Sequence, residues 1–326
     1  MRSRAGLFAL LVAASTLVAA GAVVSAVLAQ RGETATPTRS AALARPYVVF
    51  RALDDRAGGA HFGELTSSPA DAPGRTQRRS GRLCERVHAS SVGGICVARR
   101  RSLIGTFEAQ LLAPDGRVRH TVPLNGFPSR ARVSRNGRYG ATTTFVTGHS
   151  YASPGAFSTE TLLIDMRSGE AIANLESFTV SLGGRVVDAA DVQYWGVTFE
   201  RDSDRFHATL ATGGKTYLIH GRVSTRTARV IHRNVECPSL SPDGTRIGYK
   251  KLVGGKGKRW RFHVLDLATG VETPLAETRS VDDQLEWLDD DNLLYGVAGD
   301  TWTVRADGSG TAREYLAAAD SPAVVR

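Results

Sequence analysis

Methionine, cysteine and lysine are scarce in this sequence of 326 residues, which contains 2 Met, 3 Cys and 34 Gly. So little methionine, so much glycine and many short Val-, Thr- and Arg-bearing segments argue against a helical bundle and a long coiled coil. The few lysines are Lys215, Lys250, Lys251, Lys256 and Lys258. The net charge of +9 therefore rests on arginine, a skew that genome composition explains better than a polyanionic partner does. The hydrophobic content of 42% suffices for a sizeable core and argues against wholesale disorder.

One long apolar run is present, and it lies near the N-terminus. It covers 5–29 and follows Arg2 and Arg4, an order that keeps the N-terminus in the cytoplasm and sends the body across the membrane. Residues 1–30 are therefore predicted to be a hydrophobic helix that is either a cleaved signal peptide or a membrane anchor, followed by a linker over 31–45. Both alternatives predict an extracytoplasmic body, either membrane-anchored or secreted.

The three cysteines are unevenly placed. Cys84 and Cys96 lie close together in the first third of the chain, whereas Cys237 stands alone far downstream. In an oxidising compartment the first two are expected to form a disulfide. Three cysteines cannot all pair within one chain, so Cys237 is predicted to be a small residue of the core.

A pattern of short strands and tight turns recurs along the chain with a period of about forty residues. Its clearest copy, 237–275, contains Pro242-Asp243-Gly244, in which Pro presets φ, Asp binds nearby backbone and Gly accepts a positive φ. A weaker copy, 133–170, has Asn136-Gly137 at the same turn. Further copies cover 197–221 and 285–308. Such units cannot bury both faces alone, so neighbours must stack, and a closed ring removes the exposed sheet edges.

The run Ser241-Pro242-Asp243-Gly244, followed by Ile247 and Tyr249, resembles the WD40-like repeat of TolB-type β-propellers. The resemblance implies an all-β fold: a six-bladed β-propeller of four-stranded blades that covers 46–326 and acts in the cell envelope. Division of about 280 residues by about 45 per blade also gives six. The sequence leaves no room before residue 46 for the N-terminal α/β domain of TolB, which argues against a role inside a Tol-Pal system.

No coherent catalytic set is recognisable, so the chain is predicted not to be an enzyme. The segment 148–152, Gly-His-Ser-Tyr-Ala, superficially resembles a nucleophile elbow but lacks the strand-turn-helix context that an elbow requires. The 8 histidines show no metal-binding spacing. Asp202 and Asp204 occupy the turn that Asp243 holds in the clearest repeat, which favours turn capping over a metal ion. We therefore expect neither a metal nor a cofactor.

Two basic clusters are candidates for a binding surface. The first cluster comprises Arg78, Arg79, Arg82, Arg99, Arg100 and Arg101. It could attract the acidic segment 282–300 across the closure of the ring, or face anionic lipid, wall polymer or an acidic protein. The second cluster comprises Lys256, Lys258, Arg259 and Trp260 on a glycine-rich hairpin, for which a solvated loop is the default interpretation. Export argues against nucleic acid as its partner.

These observations favour a non-catalytic, extracytoplasmic propeller that serves as a protein–protein interaction scaffold in the cell envelope. We expect a monomeric propeller whose partner is an envelope protein, with anionic lipid or wall polymer as the other class of partner. The alternative function is a propeller that binds or cleaves carbohydrate or wall polymer. Candidate residues for that alternative are Asp188, Asp191, His207 and Glu236.

Overall fold

Short segments separated by glycine-bearing turns form β-strands throughout the described part of the chain. The structure is a computed structural model, and it describes residues 45–54, 59, 61–100, 105–147, 157–254 and 259–326. The strands form six sheets, here called blades I to VI, within one compact unit, Leu43–Arg326. The predicted signal or anchor segment, and the linker up to residue 44, lie outside the described residues.

Blades I to III contain the first eleven strands, and one strand from the C-terminal end of the chain joins blade I. The strands of blade I are β1 (Tyr47–Ala52), β2 (Glu64–Pro69), β3 (Arg78–Leu83) and β26 (Ala319–Val325). Those of blade II are β4 (Arg86–Ser90), β5 (Gly93–Arg99), β6 (Phe107–Leu112) and β7 (Val118–Leu124). Those of blade III are β8 (Phe127–Val133), β9 (Tyr139–Thr147), β10 (Phe157–Asp165) and β11 (Ala171–Asn174).

Blades IV to VI contain the remaining strands. The strands of blade IV are β12 (Thr179–Leu182), β13 (Arg185–Val186), β14 (Gln193–Phe199), β15 (Arg205–Thr212), β16 (Lys215–Arg222) and β17 (Thr227–Arg233). Those of blade V are β18 (Glu236–Leu240), β19 (Arg246–Val253), β20 (Arg259–Asp266) and β21 (Glu272–Pro274). Those of blade VI are β22 (Glu286–Trp287), β23 (Asn292–Val297), β24 (Asp300–Arg305) and β25 (Arg313–Leu316).

The blades form a closed ring around a central axis. Their innermost strands, which contact one another around this axis, are β26, β4, β8, β14, β18 and β22. Blade I is completed by antiparallel pairing of β26 with β1, which places Val324 opposite Val48. Backbone hydrogen bonds between distant parts of the sequence therefore close the ring. The structure confirms the predicted all-β, six-bladed propeller.

Blade IV differs from the predicted four-stranded pattern. Its sheet has six strands because β12 pairs in parallel with β17, and β13 pairs with β12. A short 3-10 helix, Leu175–Ser177, leads into β12, and the side chain of Asn174 accepts a hydrogen bond from the Glu176 N–H at its start. The added strands cover the edge of β17, which would otherwise expose unpaired backbone groups.

Buried apolar side chains fill the spaces between neighbouring blades. Ile95 and Ile164 pack between blades II and III, and Phe50 and Leu294 pack between blades I and VI. Trp287 is almost inaccessible between blades V and VI. Because each blade carries apolar side chains on both faces, it can bury them only between two neighbours. The core is therefore a ring of inter-blade layers.

The turns have the geometry that their residues favour. Gly244 has a φ of +81° and its N–H donates to Ser241 O at 2.9 Å, while Asp243 Oδ1 accepts from the Thr245 N–H at 2.9 Å. In blade III, Gly137 has a φ of +67° and Asn136 Oδ1 accepts from the Arg138 N–H at 3.0 Å. These two turns connect the first and second strands of their blades, so they lie at equivalent positions in the ring.

The cysteines are arranged as expected. Cys84 and Cys96 form a disulfide with their Cα atoms 5.4 Å apart, which joins the segment before β4 to the interior strand β5. Cys237 is a buried free thiol on β18.

Candidate binding site at the central channel

The innermost strands bring charged side chains together on the axis of the ring. Arg132 lies on β8, His88 on β4 and Glu286 on β22, and each residue is at most 8% exposed. We call these three residues the channel plug. They border both of the cavities that open toward opposite ends of the channel. The plug therefore separates the two mouths.

Hydrogen bonds connect the channel plug to five of the six innermost strands. Nη1 of Arg132 donates to Oε2 of Glu286, and its Nη2 lies 3.3 Å from Ser239 Oγ on β18. The other carboxylate oxygen of Glu286 accepts from the Val324 N–H on β26 at 3.2 Å. This network links blades that are far apart in sequence, since Arg132 and Glu286 are 154 positions apart.

The protonation states of the plug follow from its burial. Burial opposes ionisation of Glu286, but Arg132 and His88 outweigh that effect and hold the pKa of the carboxyl well below its usual range. Burial, together with the Arg132 charge, lowers the pKa of His88. Nδ1 of His88 accepts a hydrogen bond from the Val133 N–H at 3.1 Å, which requires an unprotonated nitrogen. The plug thus consists of one ion pair and a neutral imidazole.

Above the plug, one end of the channel widens into a cavity of about 230 Å³. We call it the charged mouth, because its walls carry Arg86, Arg130, Asp283 and Asp320. The two arginines come from β4 and β8, Asp320 comes from β26, and Asp283 lies in the loop before β22. Residues of several blades thus present both signs of charge on rigid strands and short loops.

Most of these charges already have partners. Asp320 accepts two hydrogen bonds from Nη1 of Arg51, at 3.0 and 2.8 Å, although burial still raises the pKa of this carboxyl. Asp283 accepts from the Gly296 N–H at 2.7 Å and lies 3.9 Å from Arg130. Fixed charges of this kind are suited to recognition of a charged or polar segment, because their positions are set before binding.

Several arginine donors at the charged mouth have acceptors, and one buried donor has none within the described residues. Nε of Arg86 donates to Ser129 O at 2.7 Å and its Nη1 donates to Glu85 O at 2.8 Å. Nη1 of Arg130 also donates to Ser129 O, at 2.9 Å, whereas its buried Nε has no hydrogen-bond partner within the described part of the chain. An unsatisfied buried donor costs free energy, so a ligand acceptor at this place would stabilise the site.

The opposite end of the channel is a smaller cavity of about 110 Å³. Its lining includes Arg135, Arg201, Ser241 and Arg326, and the guanidinium of Arg326 donates to Trp287 O. The turn that contains Gly244 also borders it. This second mouth therefore lies at the end of the ring that carries the repeated turns.

Arginines of the first predicted basic cluster have local partners in the structure. Arg79 pairs with Asp54 and Glu64, and Arg82 donates to Gln110 Oε1 at 2.6 Å. Arg99 and Arg100 lie at the end of blade II, where Arg99 Nε donates to Glu85 Oε1 at 2.6 Å and Arg100 lies 3.9 Å from Glu108. Arg78 is half-buried at the start of β3, and Arg101 lies outside the described residues. These local ion pairs neutralise much of the cluster.

The second predicted cluster lies partly within the described residues. Lys256 and Lys258 lie outside the described residues, and Arg259 is exposed at the start of β20. Trp260 is only half-exposed: its indole N–H donates to Glu236 Oε1 at 3.2 Å, and the ammonium of Lys250 lies 4.9 Å from its ring centroid. Trp260 therefore packs beside a buried lysine instead of presenting its face to a ligand.

The four residues considered for polymer chemistry have separate surroundings. Asp188 is exposed, and Asp191 accepts hydrogen bonds from the Thr212 hydroxyl and the Gly213 N–H, both at 2.7 Å. Glu236 binds Trp260, whereas His207 lies beside Glu200 and His220 on blade IV. The glycine-serine segment 148–152, which resembles a nucleophile elbow, lies outside the described residues. Asp202 and Asp204 cap turns, since they accept from the N–H groups of Arg205 and Ser224.

Sequence reasoning missed the channel plug and the charged mouth. Glu286 stands between Leu285 and Trp287 in an otherwise acidic segment. Such alternation is typical of a strand with one polar face, so it does not indicate a buried charge. The partner of Glu286 could not be read from the sequence, since it comes from another blade.

Comparisons with known proteins support the fold. No family model matches the sequence, and no curated protein matches it. Among solved structures, TolB from Acinetobacter baumannii is similar with a TM-score of 0.59 and 14% identity, over 86% of this chain and 67% of that chain. A chain of a nidogen/laminin complex is similar with a TM-score of 0.52 and 9% identity, over 86% of this chain and 98% of that chain.

The fold and these neighbours together define a TolB-like six-bladed β-propeller. At such low identities the likeness concerns the fold alone. Within the described residues, no helix is long and apolar enough to cross a membrane.

Proposed function

We propose that this chain is a non-catalytic, extracytoplasmic propeller that binds a protein of the cell envelope, and that the partner docks at the charged mouth. The observation that carries the proposal is the combination of this mouth with the channel plug beneath it. The mouth offers a preformed concave site, and the plug blocks passage through the ring. Such an arrangement favours docking over transport or substrate entry.

The charges at the mouth favour recognition over chemistry. The carboxylates of Asp283 and Asp320 are held by hydrogen bonds and ion pairs, which suits them to fixed electrostatic complementarity. Arg86 and Arg130 supply donors for a carboxylate or a backbone carbonyl of the partner. An extended segment that carries both acidic and basic residues would match the mixed charge of the mouth.

Two features support a location outside the cytoplasm. The disulfide between Cys84 and Cys96 is typical of oxidising compartments. The apolar run 5–29 with preceding arginines is typical of an export signal or anchor. Membrane attachment through this run, or secretion after its cleavage, is part of the proposal.

Site-specific crosslinking in cells tests the docking site. A photoreactive amino acid at Gln284, which lines the charged mouth, should give a discrete protein adduct. The matched control carries the same amino acid at Val118, an exposed residue on the outermost strand β7, and should give no such adduct. Arg130→Gln should weaken capture of the same partner about tenfold or more, because it removes a buried charged donor.

Three results would change this assignment. Equal adducts from both positions would place the partner on the outer surface and refute docking at the mouth. Absence of any protein adduct would count against the scaffold. Retention of the protein on envelope polysaccharide under the same conditions would then favour the polymer-binding alternative.

A further inference from the structure

A second group of ionisable side chains lies on blade IV, outward from the channel. His207 on β15 and His220 on β16 are directly opposite each other in the ladder, and their rings stack with centroids 4.9 Å apart. Glu200, the residue that follows β14, reaches the same place. Cross-strand partners project from the same face of a sheet, so pairing of the two strands places these separate residues side by side.

Three possible ligand atoms converge in this group. Nε2 of His207 and Nε2 of His220 lie 3.3 and 2.9 Å from Oε1 of Glu200. One ligand atom from each of the three residues lies within 4.8 Å of the others. In a tetrahedral zinc site with bonds of about 2.0–2.1 Å, neighbouring ligand atoms are about 3.3–3.4 Å apart. The separation of 3.3 Å between His207 and Glu200 matches this value, and the separation of 2.9 Å between His220 and Glu200 is somewhat shorter.

Hydrogen bonding does not account for the position of the His220 ring. Nδ1 of His207 and Nε2 of His220 are buried and have no hydrogen-bond partner in the described part of the chain. Nε2 of His220 is at contact distance from the carboxylate but not at a hydrogen-bonding angle. His207 is only 3% exposed, so water cannot readily satisfy its ring. A cation between the rings and the carboxylate would give Nε2 of His220 its missing partner.

An arginine and an aspartate lie beside the Glu200 carboxylate. Arg205 lies 3.1 Å from the second carboxylate oxygen of Glu200 and orients it, while Asp202, at 2.7 Å, offsets the arginine charge.

We propose that Glu200, His207 and His220 bind one Zn²⁺ ion. The set of two imidazoles and one carboxylate matches zinc sites that keep a fourth position for water or an exogenous ligand. The adjoining cavity of about 310 Å³ gives access to that position, since His220 belongs to its lining. Arg222 and Arg229 also line the cavity, so the fourth position is suited to an anionic ligand such as a carboxylate or phosphate.

Titration with Zn²⁺ tests the site. Full-length protein carrying a tag without histidines is stripped with a chelator and titrated in a calorimeter, and one ion per chain is expected. Glu200→Gln and His220→Ala should each weaken the Kd by at least about 100-fold, because loss of even an outer-shell partner costs 10–100-fold. His120→Ala is the matched control: the ring of this partly exposed histidine makes a hydrogen bond to Arg167 O, far from Glu200 in the sheet order, so the Kd should not change.

A second readout comes from Co²⁺, whose tetrahedral complexes absorb strongly in the visible range. The wild type and the His120→Ala control should develop this absorption, and Glu200→Gln should not. Absence of saturable Zn²⁺ binding would overturn the proposal. Binding that survives unchanged in both Glu200→Gln and His220→Ala would also overturn it, because the ion would then be held elsewhere.

Discussion

Loss of one partner of the Arg132–Glu286 ion pair in the channel plug should destabilise the fold strongly. In Arg132→Met the Glu286 carboxylate stays buried and loses its cation, so that the Val324 N–H is its main remaining partner. Breaking a buried ion pair by removal of one partner costs about 3–5 kcal/mol. The free energy of unfolding of an ordinary domain is about 5–15 kcal/mol, so this single change should remove a large part of it.

The double variant Arg132→Met with Glu286→Leu distinguishes loss of the ion pair from burial of a single unpaired charge. Because both charges are then absent, we expect the double variant to be more stable than either single variant, with a coupling free energy of about 3 kcal/mol. Urea unfolding is measured by tryptophan fluorescence, since Trp287 adjoins Glu286 on β22. An exposed pair, Arg117 and Asp115, is the matched control, and its removal should change stability little.

Two results would refute this reasoning. A cost below about 1 kcal/mol for Arg132→Met would mean that water reaches Glu286 and compensates its charge. Destabilisation of the double variant by the sum of the two single effects would mean that the residues act independently.

Three further predictions follow from the same contacts. Burial lowers the pKa of His88 in the folded state, so the contribution of this residue to stability is complete above about pH 6.5 and is lost as the pH falls below that value. His88→Gln should therefore flatten this part of the plot of unfolding free energy against pH. An unchanged slope would contradict the assignment. Gly244→Val should cost about 1–3 kcal/mol by backbone strain at φ +81°, whereas Gly254→Val, with equally open surroundings but no left-handed φ, should be nearly neutral in a melting experiment. Cys84→Ser should cost about 2–4 kcal/mol, and unreduced, denatured wild-type protein should show a single reactive thiol; three thiols would rule out the disulfide.

The blades and their turns could be predicted because their signals are local. Pro242-Asp243-Gly244 and Asn136-Gly137 encode their turns within three or four residues, and the period of the repeat then requires neighbouring units to stack. The two extra strands of blade IV were not predicted. β12 and β13 are short, and β12 pairs with β17 only after the chain has folded back, so no local pattern indicates their place in the sheet.

The sites depend on contacts that sequence spacing does not report. Arg132 and Glu286 meet because two innermost strands converge on one axis, and Arg86 reaches the charged mouth for the same reason. The prediction that the chain has no metal rested on the spacing of histidines along the sequence. His207 and His220 are instead neighbours across a β-ladder, a relation that becomes visible only when the register is known.

Closure of the ring by β26 also bears on how the chain reaches its folded state. Arg51 and Asp320, which meet at that closure, are 269 positions apart. At 5–20 residues per second, synthesis of the intervening chain takes on the order of tens of seconds. During this time one edge of β1 has no strand to pair with, and unpaired edges promote aggregation. A chaperone that shields the edge of β1 until β26 emerges would therefore improve the yield of folded protein.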